Sequence, residues 1–148
     1  MAGWLARGLR PALLGCALLL MPGLAPAQPR SFSCVGAEDL EDDVFAVPFA
    51  RGSDRLREEA RSALDAAEAL AQAQPERNLC VLGHADRGQG AGTSTQLAAR
   101  RARAVAQTLS ERGVERDRIR AEARVSAFSG RAQEPGARAV TIVVMPTE

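Results

Sequence analysis

The stretch that most constrains the fold lies at residues 79–102. It opens with four apolar residues, closes at Gly83, passes through a loop rich in glycine and small polar residues, and continues into a helical pattern. A short apolar run that ends at a glycine is typical of a buried strand. The pattern therefore predicts a strand, a loop at its C-terminal end and a helix packed back on the sheet. The core-facing stripe of that helix is predicted to be Leu97, Arg101, Ala104, Val105 and Thr108.

One charged residue, Arg101, falls within this otherwise apolar stripe. A guanidinium keeps its proton in a protein, so a buried one needs an acceptor nearby. Asp86, which follows the strand, is the obvious internal candidate. We therefore predict that Asp86 and Arg101 form a small polar site at one end of the sheet, suited in size to a zwitterion. A purely structural ion pair, or a surface arginine whose stem lies along apolar residues, remains an alternative.

Patterns elsewhere in the chain complete an α+β fold. Ser53 is predicted to cap a first helix that ends before Pro75. The second helix begins near residue 93 and ends at Gly113. The order β-α-β-α-β-β predicts a two-layer sandwich with both helices on one face of a mixed sheet. The last strand is apolar nearly throughout, which predicts an inner position. The strands are predicted at residues 44–49, 78–82, 119–125 and 139–145.

Both faces of the second predicted strand are apolar. Leu79 and Val81 share one face, whereas Cys80 and Leu82 share the other. Because the helices can cover only the first face, something else must cover part of the second. Residues 32–35, a short segment that is largely apolar, are predicted to be this cover.

The first 27 residues have the three parts of a secretory signal peptide. Arg7 and Arg10 form the basic part, an apolar run follows, and a small-x-small sequence ends at Ala27. We predict cleavage after Ala27 and a mature protein in the periplasm, without a membrane span. The sequence Leu-Leu-Gly-Cys that ends at Cys16 is similar to a lipoprotein box, so acylation at Cys16 and an uncleaved anchor remain alternatives.

Three units result: a signal peptide at 1–27, a linker and cover at 28–43, and a domain at 44–148. Of the 19 basic residues, Arg7 and Arg10 lie in the leader, so 17 arginines face 18 acidic residues in the mature chain. This near balance argues against a nucleic-acid-binding protein, which would have a basic excess. Residues 115–118, all charged, predict a solvated turn.

The two cysteines outside the leader are Cys34 and Cys80. An exported compartment permits disulfides, and the cover segment could carry Cys34 across the sheet to Cys80. We therefore predict a Cys34–Cys80 disulfide. The alternative is that Cys80 is a small buried hydrophobic residue, as free cysteines often are.

The stretch at 79–102 resembles the OmpA-like peptidoglycan-binding domain family, in which a strand ends in Gly-His-Thr-Asp and a helix starts with Asn-x-x-Leu-Ser-x-x-Arg-Ala. The resemblance covers residues 44–144 and implies the same α+β fold. It also implies an exported, non-enzymatic module that binds peptidoglycan stem peptides without a cofactor. The matching positions are Gly83, His84, Asp86, Leu97, Arg101 and Ala102.

The resemblance also implies roles for individual residues. In the family, the aspartate and the arginine of the motif bind the amine and the carboxylate of diaminopimelate, which assigns these roles to Asp86 and Arg101. Around this pair, the predicted ligand-binding set is completed by Thr93, Ser94, Leu97 and His84.

The chain departs from the family pattern at five positions, Ala85, Ser94, Ala98, Ala137 and Ala139, where the family has Thr, Asn, Ser, Asn and Arg. An alternative function follows from these departures. The chain would then be a degenerate OmpA-like domain that binds an envelope protein through residues 126–137 and no longer binds the wall.

Catalytic and metal chemistry are not predicted. His84 is the only histidine, Gly-x-Ser-x-Gly is absent, and the glycine-rich loop lacks the Gly-Lys-Ser/Thr end of a phosphate-binding loop. Cys80, His84 and Asp86 alternate along the strand, but three mixed ligands without a partner cluster are a weak zinc signal.

Overall fold

The computed structural model describes residues 30–85, 93–125 and 139–147. Within these ranges the elements alternate as the sequence predicts, so the two-layer α+β architecture is confirmed. In chain order they are β1 (Val44–Pro48), α1 (Arg61–Ala73), β2 (Leu79–Ala85), α2 (Thr95–Glu111), β3 (Ile119–Val125) and β4 (Ala139–Val144).

The four strands form one mixed sheet in the order β1-β4-β2-β3. β4 lies between β1 and β2 and is antiparallel to both, whereas β2 and β3 are parallel. The predicted inner position of β4 is confirmed. β1, β2 and β3 therefore run in the same direction. We call the end where they start the lower end of the sheet and the end where they finish the upper end.

Both helices pack on one face of the sheet and form the larger core with it. Leu79 and Val81 of β2 point into this core, as their alternation predicts. Alanines of α1 are fully buried there, so this helix lies close to the sheet. The other side chains central to this core are Val47, Leu64, Val105, Leu109, Val140 and Ile142.

Gly83 allows α2 to lie close against β2. A Cβ atom added at Gly83 would lie 2.1 Å from the carbonyl oxygen of Ala98 and 3.3 Å from the Cβ atom of Ala102. No side chain fits in this space, so the glycine is required by contact with the helix rather than by a turn. The contact fixes the first turns of α2 beside the upper end of β2.

The opposite face of the sheet is covered by residues 32–40, which we call the cover segment. Cys34 and Ala37 of this segment are buried against β2 and β4, together with Cys80, Leu82 and Val143. The prediction that residues 32–35 cover this face is confirmed, although Val35 itself points outward and is 84% exposed. The cover continues to Leu40, within the linker and cover predicted at 28–43.

A disulfide joins the cover segment to the sheet. Cys34 and Cys80 are bonded, with their Cα atoms 5.7 Å apart, so the predicted disulfide is confirmed. Three further contacts hold the segment in place. Arg124 Nη2 donates to the carbonyl of Cys34 at 2.9 Å, and Arg120 both donates to the carbonyl of Phe32 and stacks on its ring.

The first helix begins later than predicted. The N-cap prediction for Ser53 is wrong, because α1 starts at Arg61 after a 3-10 turn at Glu58–Ala60. The hydroxyl of Ser53 instead accepts from the backbone N–H of Arg55 and stabilises a local turn. In the described ranges, no helix combines the length and apolar character that a membrane crossing requires.

Candidate functional site

The predicted site residue Arg101 lies at the upper end of the sheet and joins three stretches of chain. Its Nε donates to the carbonyl of Ser53 at 2.7 Å, and its Nη2 donates to the carbonyl of Ala50 at 3.0 Å. Its Nη1 donates to the hydroxyl of Thr93 at 3.2 Å. The guanidinium also lies over the ring of Phe49, 5.2 Å from its centroid. Arg101 therefore fixes the chain after β1 to the start of α2.

Arg101 is only 1% exposed, as its place in the apolar stripe predicts. The stripe itself is rotated from the prediction: Leu97, Arg101 and Val105 are buried, but Ala104 and Thr108 are only half-buried. The reason is the close contact at Gly83, which turns Ala98 and Ala102 toward the sheet.

The start of α2 adds a second cationic element beside Arg101. Ser94 is the N-cap, and its hydroxyl accepts from the N–H of Leu97 at 3.1 Å. The first turn contains no acidic residue, and Ser94, Thr95 and Gln96 are all exposed. A helix N-terminus carries a partial positive charge and free N–H groups. This end of the sheet therefore favours an anionic group.

Four of the six predicted ligand-binding residues are thus placed together. Thr93, Ser94, Leu97 and Arg101 lie at the start of α2, with Thr93 and Leu97 buried and Ser94 exposed. Asp86 follows Ala85, the last residue of β2, and lies outside the described residues with the rest of 86–92. The Asp86–Arg101 pair therefore stays a prediction. Residues 126–137, the surface in the alternative function, also lie outside.

His84, the sixth predicted residue, lies apart from the other four. The alternation of β2 places it on the face of the cover segment, where its Nε2 lies 2.7 Å from the hydroxyl of Thr141. Burial lowers the pKa of His84 below its ordinary value, Glu38 opposes this shift and Arg124 adds to it. His84 is therefore in a position to stabilise the sheet and the cover segment, on the face opposite Arg101.

The structure also bears on the weak metal signal in the sequence. Cys80 is part of the disulfide and does not offer a thiolate to a metal. Among the described residues, no three His, Cys, Asp or Glu side chains are grouped closely enough to hold an ion.

Sequence reasoning missed the residues that hold Arg101 in place. Ala50 and Ser53 act through backbone carbonyls, which no side-chain pattern reveals. Phe49 was predicted only as the end of a strand. A partial signal was available in Gly52, whose positive φ of 68° marks the turn that brings the two carbonyls to the guanidinium.

Comparisons with known proteins agree with this fold. The family model of the OmpA family matches residues 48–141, so the chain belongs to the OmpA family. Among solved structures, the chain is similar to the peptidoglycan-associated lipoprotein from Burkholderia pseudomallei. The TM-score is 0.56 and the identity 22%, over 68% of this chain and 90% of that one.

Two further solved structures share the fold. The cell wall anchor of the T6SS from Pseudomonas aeruginosa has a TM-score of 0.55 and 24% identity, over 70% of this chain and 81% of that one. The periplasmic domain of Helicobacter pylori MotB has a TM-score of 0.54 and 18% identity, over 70% and 74%. No curated protein sequence gives a significant match.

Proposed function

We propose that the chain is an exported, non-enzymatic module that binds the stem peptides of peptidoglycan non-covalently and so attaches to the cell wall. Membership of the OmpA family supports this function, as does similarity to a peptidoglycan-associated lipoprotein and to a cell wall anchor. The observation that carries the proposal is the rigidly held Arg101 beside the exposed start of α2.

The ligand proposed is diaminopimelate, whose side-chain end carries both an ammonium and a carboxylate. Arg101 supplies a permanent positive charge for the carboxylate, and a guanidinium can donate paired hydrogen bonds to such a group. Its three described hydrogen bonds fix the guanidinium before the ligand arrives, which lowers the entropy lost on binding. Asp86 accepts from the ammonium, and Thr93 and Ser94 complete the pocket. No metal or cofactor takes part.

The proposed location is the periplasm, reached through the signal peptide predicted at residues 1–27. The Helicobacter pylori MotB domain with the same fold is described as periplasmic. The Cys34–Cys80 disulfide also suits an oxidising compartment.

Cosedimentation with insoluble peptidoglycan tests the function. We expect the wild-type chain to sediment with the wall, and Asp86→Asn to remain in the supernatant because the ligand ammonium loses its negatively charged partner. Asp42→Asn is the matched control, since it removes the same charge from an exposed residue at the lower end of the sheet. If the wild type stays soluble, the proposed function is wrong; if both variants sediment like the wild type, Asp86 is not part of the binding site.

A change of wall chemistry tests the ligand. Lysine-type peptidoglycan keeps the ammonium of the stem residue but lacks its carboxylate. We expect binding to lysine-type wall to be weaker by about tenfold or more, because a charge-assisted hydrogen bond to Arg101 is lost. Equal binding to both walls would leave wall attachment intact but exclude diaminopimelate as the ligand.

A further inference from the structure

The two edges of the sheet are protected to different degrees. β1 forms one edge with five residues and ends at Pro48, which has no N–H to offer another strand. β3 forms the other edge with seven residues and contains neither proline nor glycine. Within the described ranges, β2 is the only strand paired with β3. A regular edge strand of this kind is a template for an added strand.

A shallow groove follows the β3 edge on the helix side. Its volume is about 200 Å³, and it lies between β3 and α2. Ile119, Ala121 and Ala106 form an apolar floor, and these side chains are only partly buried. The rim is polar and is formed by Arg103, Gln107, Ser110 and Arg116. An extended chain beside β3 would place every second side chain over this groove.

The charge beside this edge is mainly positive. The side chain of Arg103 is exposed and forms no hydrogen bond or ion pair with any described residue. Arg116, also exposed, makes only a 3.5 Å hydrogen bond to Gln107, apart from backbone contacts. On the other face of β3, Arg120 and Arg124 flank Glu122, and Arg124 also lies 3.8 Å from Glu38 of the cover segment. A second copy of this chain would bring these arginines together, whereas an acidic partner would complement them.

We propose that the outer edge of β3 binds an extended acidic segment of another envelope protein, which joins the sheet as a fifth strand. Backbone hydrogen bonds to β3 supply affinity. Acidic side chains on either side of a small apolar one supply specificity, with the acids at Arg103 and Arg116 and the apolar group over Ala121. This interaction uses neither Arg101 nor the start of α2, so it stands or falls independently of wall binding.

A synthetic probe tests the proposal: acetyl-Thr-Glu-Thr-Val-Thr-Glu-Thr-amide, which places Glu, Val and Glu on one side of a strand. In the free protein we expect the outward amides of β3 to exchange rapidly with solvent. Addition of the probe should shift the amide resonances of β3 and protect those amides from exchange. Replacement of both glutamates by lysine should weaken binding about tenfold or more. Protection of the outward β3 amides in the free protein, or equal binding of the lysine peptide, would overturn the proposal.

Methylation of the probe backbone separates strand pairing from simple charge attraction. One peptide carries N-methyl groups on Glu, Val and Glu, and a second carries them on the threonines. Successive N–H groups of a strand point to opposite sides, so only one of the two methylated sets faces β3. We expect one peptide to lose binding and the other to keep it. If both bind as well as the parent, no fifth strand forms and the proposal is wrong.

Charge reversal on the protein provides the matched test. The double variant Arg103→Glu, Arg116→Glu should weaken probe binding about tenfold or more. The control, Arg57→Glu with Arg61→Glu, makes the same change in net charge at exposed residues on the α1 side. It should bind within twofold of wild type. Equal losses in both double variants would show attraction to net charge alone and overturn the β3 site.

Discussion

Arg101 and Arg118 lie at opposite ends of the sheet, and each is only 1% exposed. Arg118 is enclosed by the carboxyl end of α1 and the start of β2. Its charge is matched by Glu115, at 2.7 Å, and this hydrogen bond lowers the pKa of Glu115. The backbone carbonyls that accept from Arg118 are those of Ala71, Gln74 and Arg77.

The surroundings of Arg101 differ in kind. Its described hydrogen bonds go to two carbonyls and a hydroxyl, and it lies beside an exposed helix N-terminus. Arg118 satisfies a helix C-terminus, where a cation is stabilising for the fold itself. The two residues are thus of the same type and equally buried. Their position relative to the helix ends distinguishes a structural arginine from a candidate ligand-binding one.

The largest effect on stability should come from Arg118→Met. The substitution keeps an apolar stem but leaves three carbonyls without their donor, which should cost about 3–5 kcal/mol in the free energy of unfolding. Urea denaturation measures this loss. Because Arg118 lies at the opposite end of the sheet from Arg101, we expect the folded variant to bind stem peptides within twofold of wild type. A loss below about 1 kcal/mol would show that Arg118 does not cap α1.

The disulfide should have the next largest effect. Its two cysteines are 46 residues apart, so Cys34→Ala with Cys80→Ala should lower the free energy of unfolding by about 3–4 kcal/mol in the entropic model. Because the bond lies on the face opposite Arg101, ligand affinity should not change. Denaturation with and without a reductant is the control: reductant should reproduce the loss in the wild type and have no effect on the variant.

Gly83→Ala should affect stability and binding together. The added methyl group would collide with the carbonyl of Ala98, so we expect a loss of about 1–3 kcal/mol and weaker ligand binding, because the start of α2 must move. Gly36→Ala is the control. It has open space but a φ of +80°, so it should cost about 1 kcal/mol and leave binding unchanged. Unaltered ligand binding by Gly83→Ala would show that the site does not depend on the close contact between α2 and β2.

The pH dependence due to His84 should be the smallest effect. Because burial lowers its pKa in the folded state, the unfolded chain binds more protons at mildly acidic pH. The stability contributed by neutral His84 is therefore complete above about pH 6.5 and decreases as the pH falls through the folded-state pKa. His84→Asn should flatten this part of the stability profile measured by urea denaturation at several pH values. An unchanged slope of stability against pH in His84→Asn would contradict the assignment of this pH dependence to His84.

The burial of Arg101 could be predicted from the sequence, whereas the burial of Arg118 could not. Arg101 could be found because it interrupts an apolar stripe in a helix with a clear period. Arg118 could not, because residues 115–118 are charged throughout and only the three-dimensional path of α1 brings its carbonyls to that side chain. The prediction of a solvated turn was wrong at this residue.

The same contrast holds for the fold. The order of elements along the chain, the inner position of β4, the covered second face and the disulfide could be predicted, because they depend on hydrophobic patterning and cysteine number. The start of α1 at Arg61, rather than just after Ser53, could not be predicted. The backbone carbonyl of Ser53 accepts from the side chain of Arg101, which is 48 residues away in the sequence. Contacts through backbone atoms leave no pattern of residue types in the sequence.

The most direct test of the central claim is a calorimetric titration with a soluble stem peptide that contains diaminopimelate. It compares Arg101→Lys with Arg118→Lys, after circular dichroism has shown that both variants are folded. Lysine keeps the charge but cannot form paired hydrogen bonds with a carboxylate. We predict that Arg101→Lys binds about tenfold or more weakly and that Arg118→Lys binds within twofold of wild type. Wild-type affinity in a folded Arg101→Lys variant would contradict the claim that Arg101 binds the ligand.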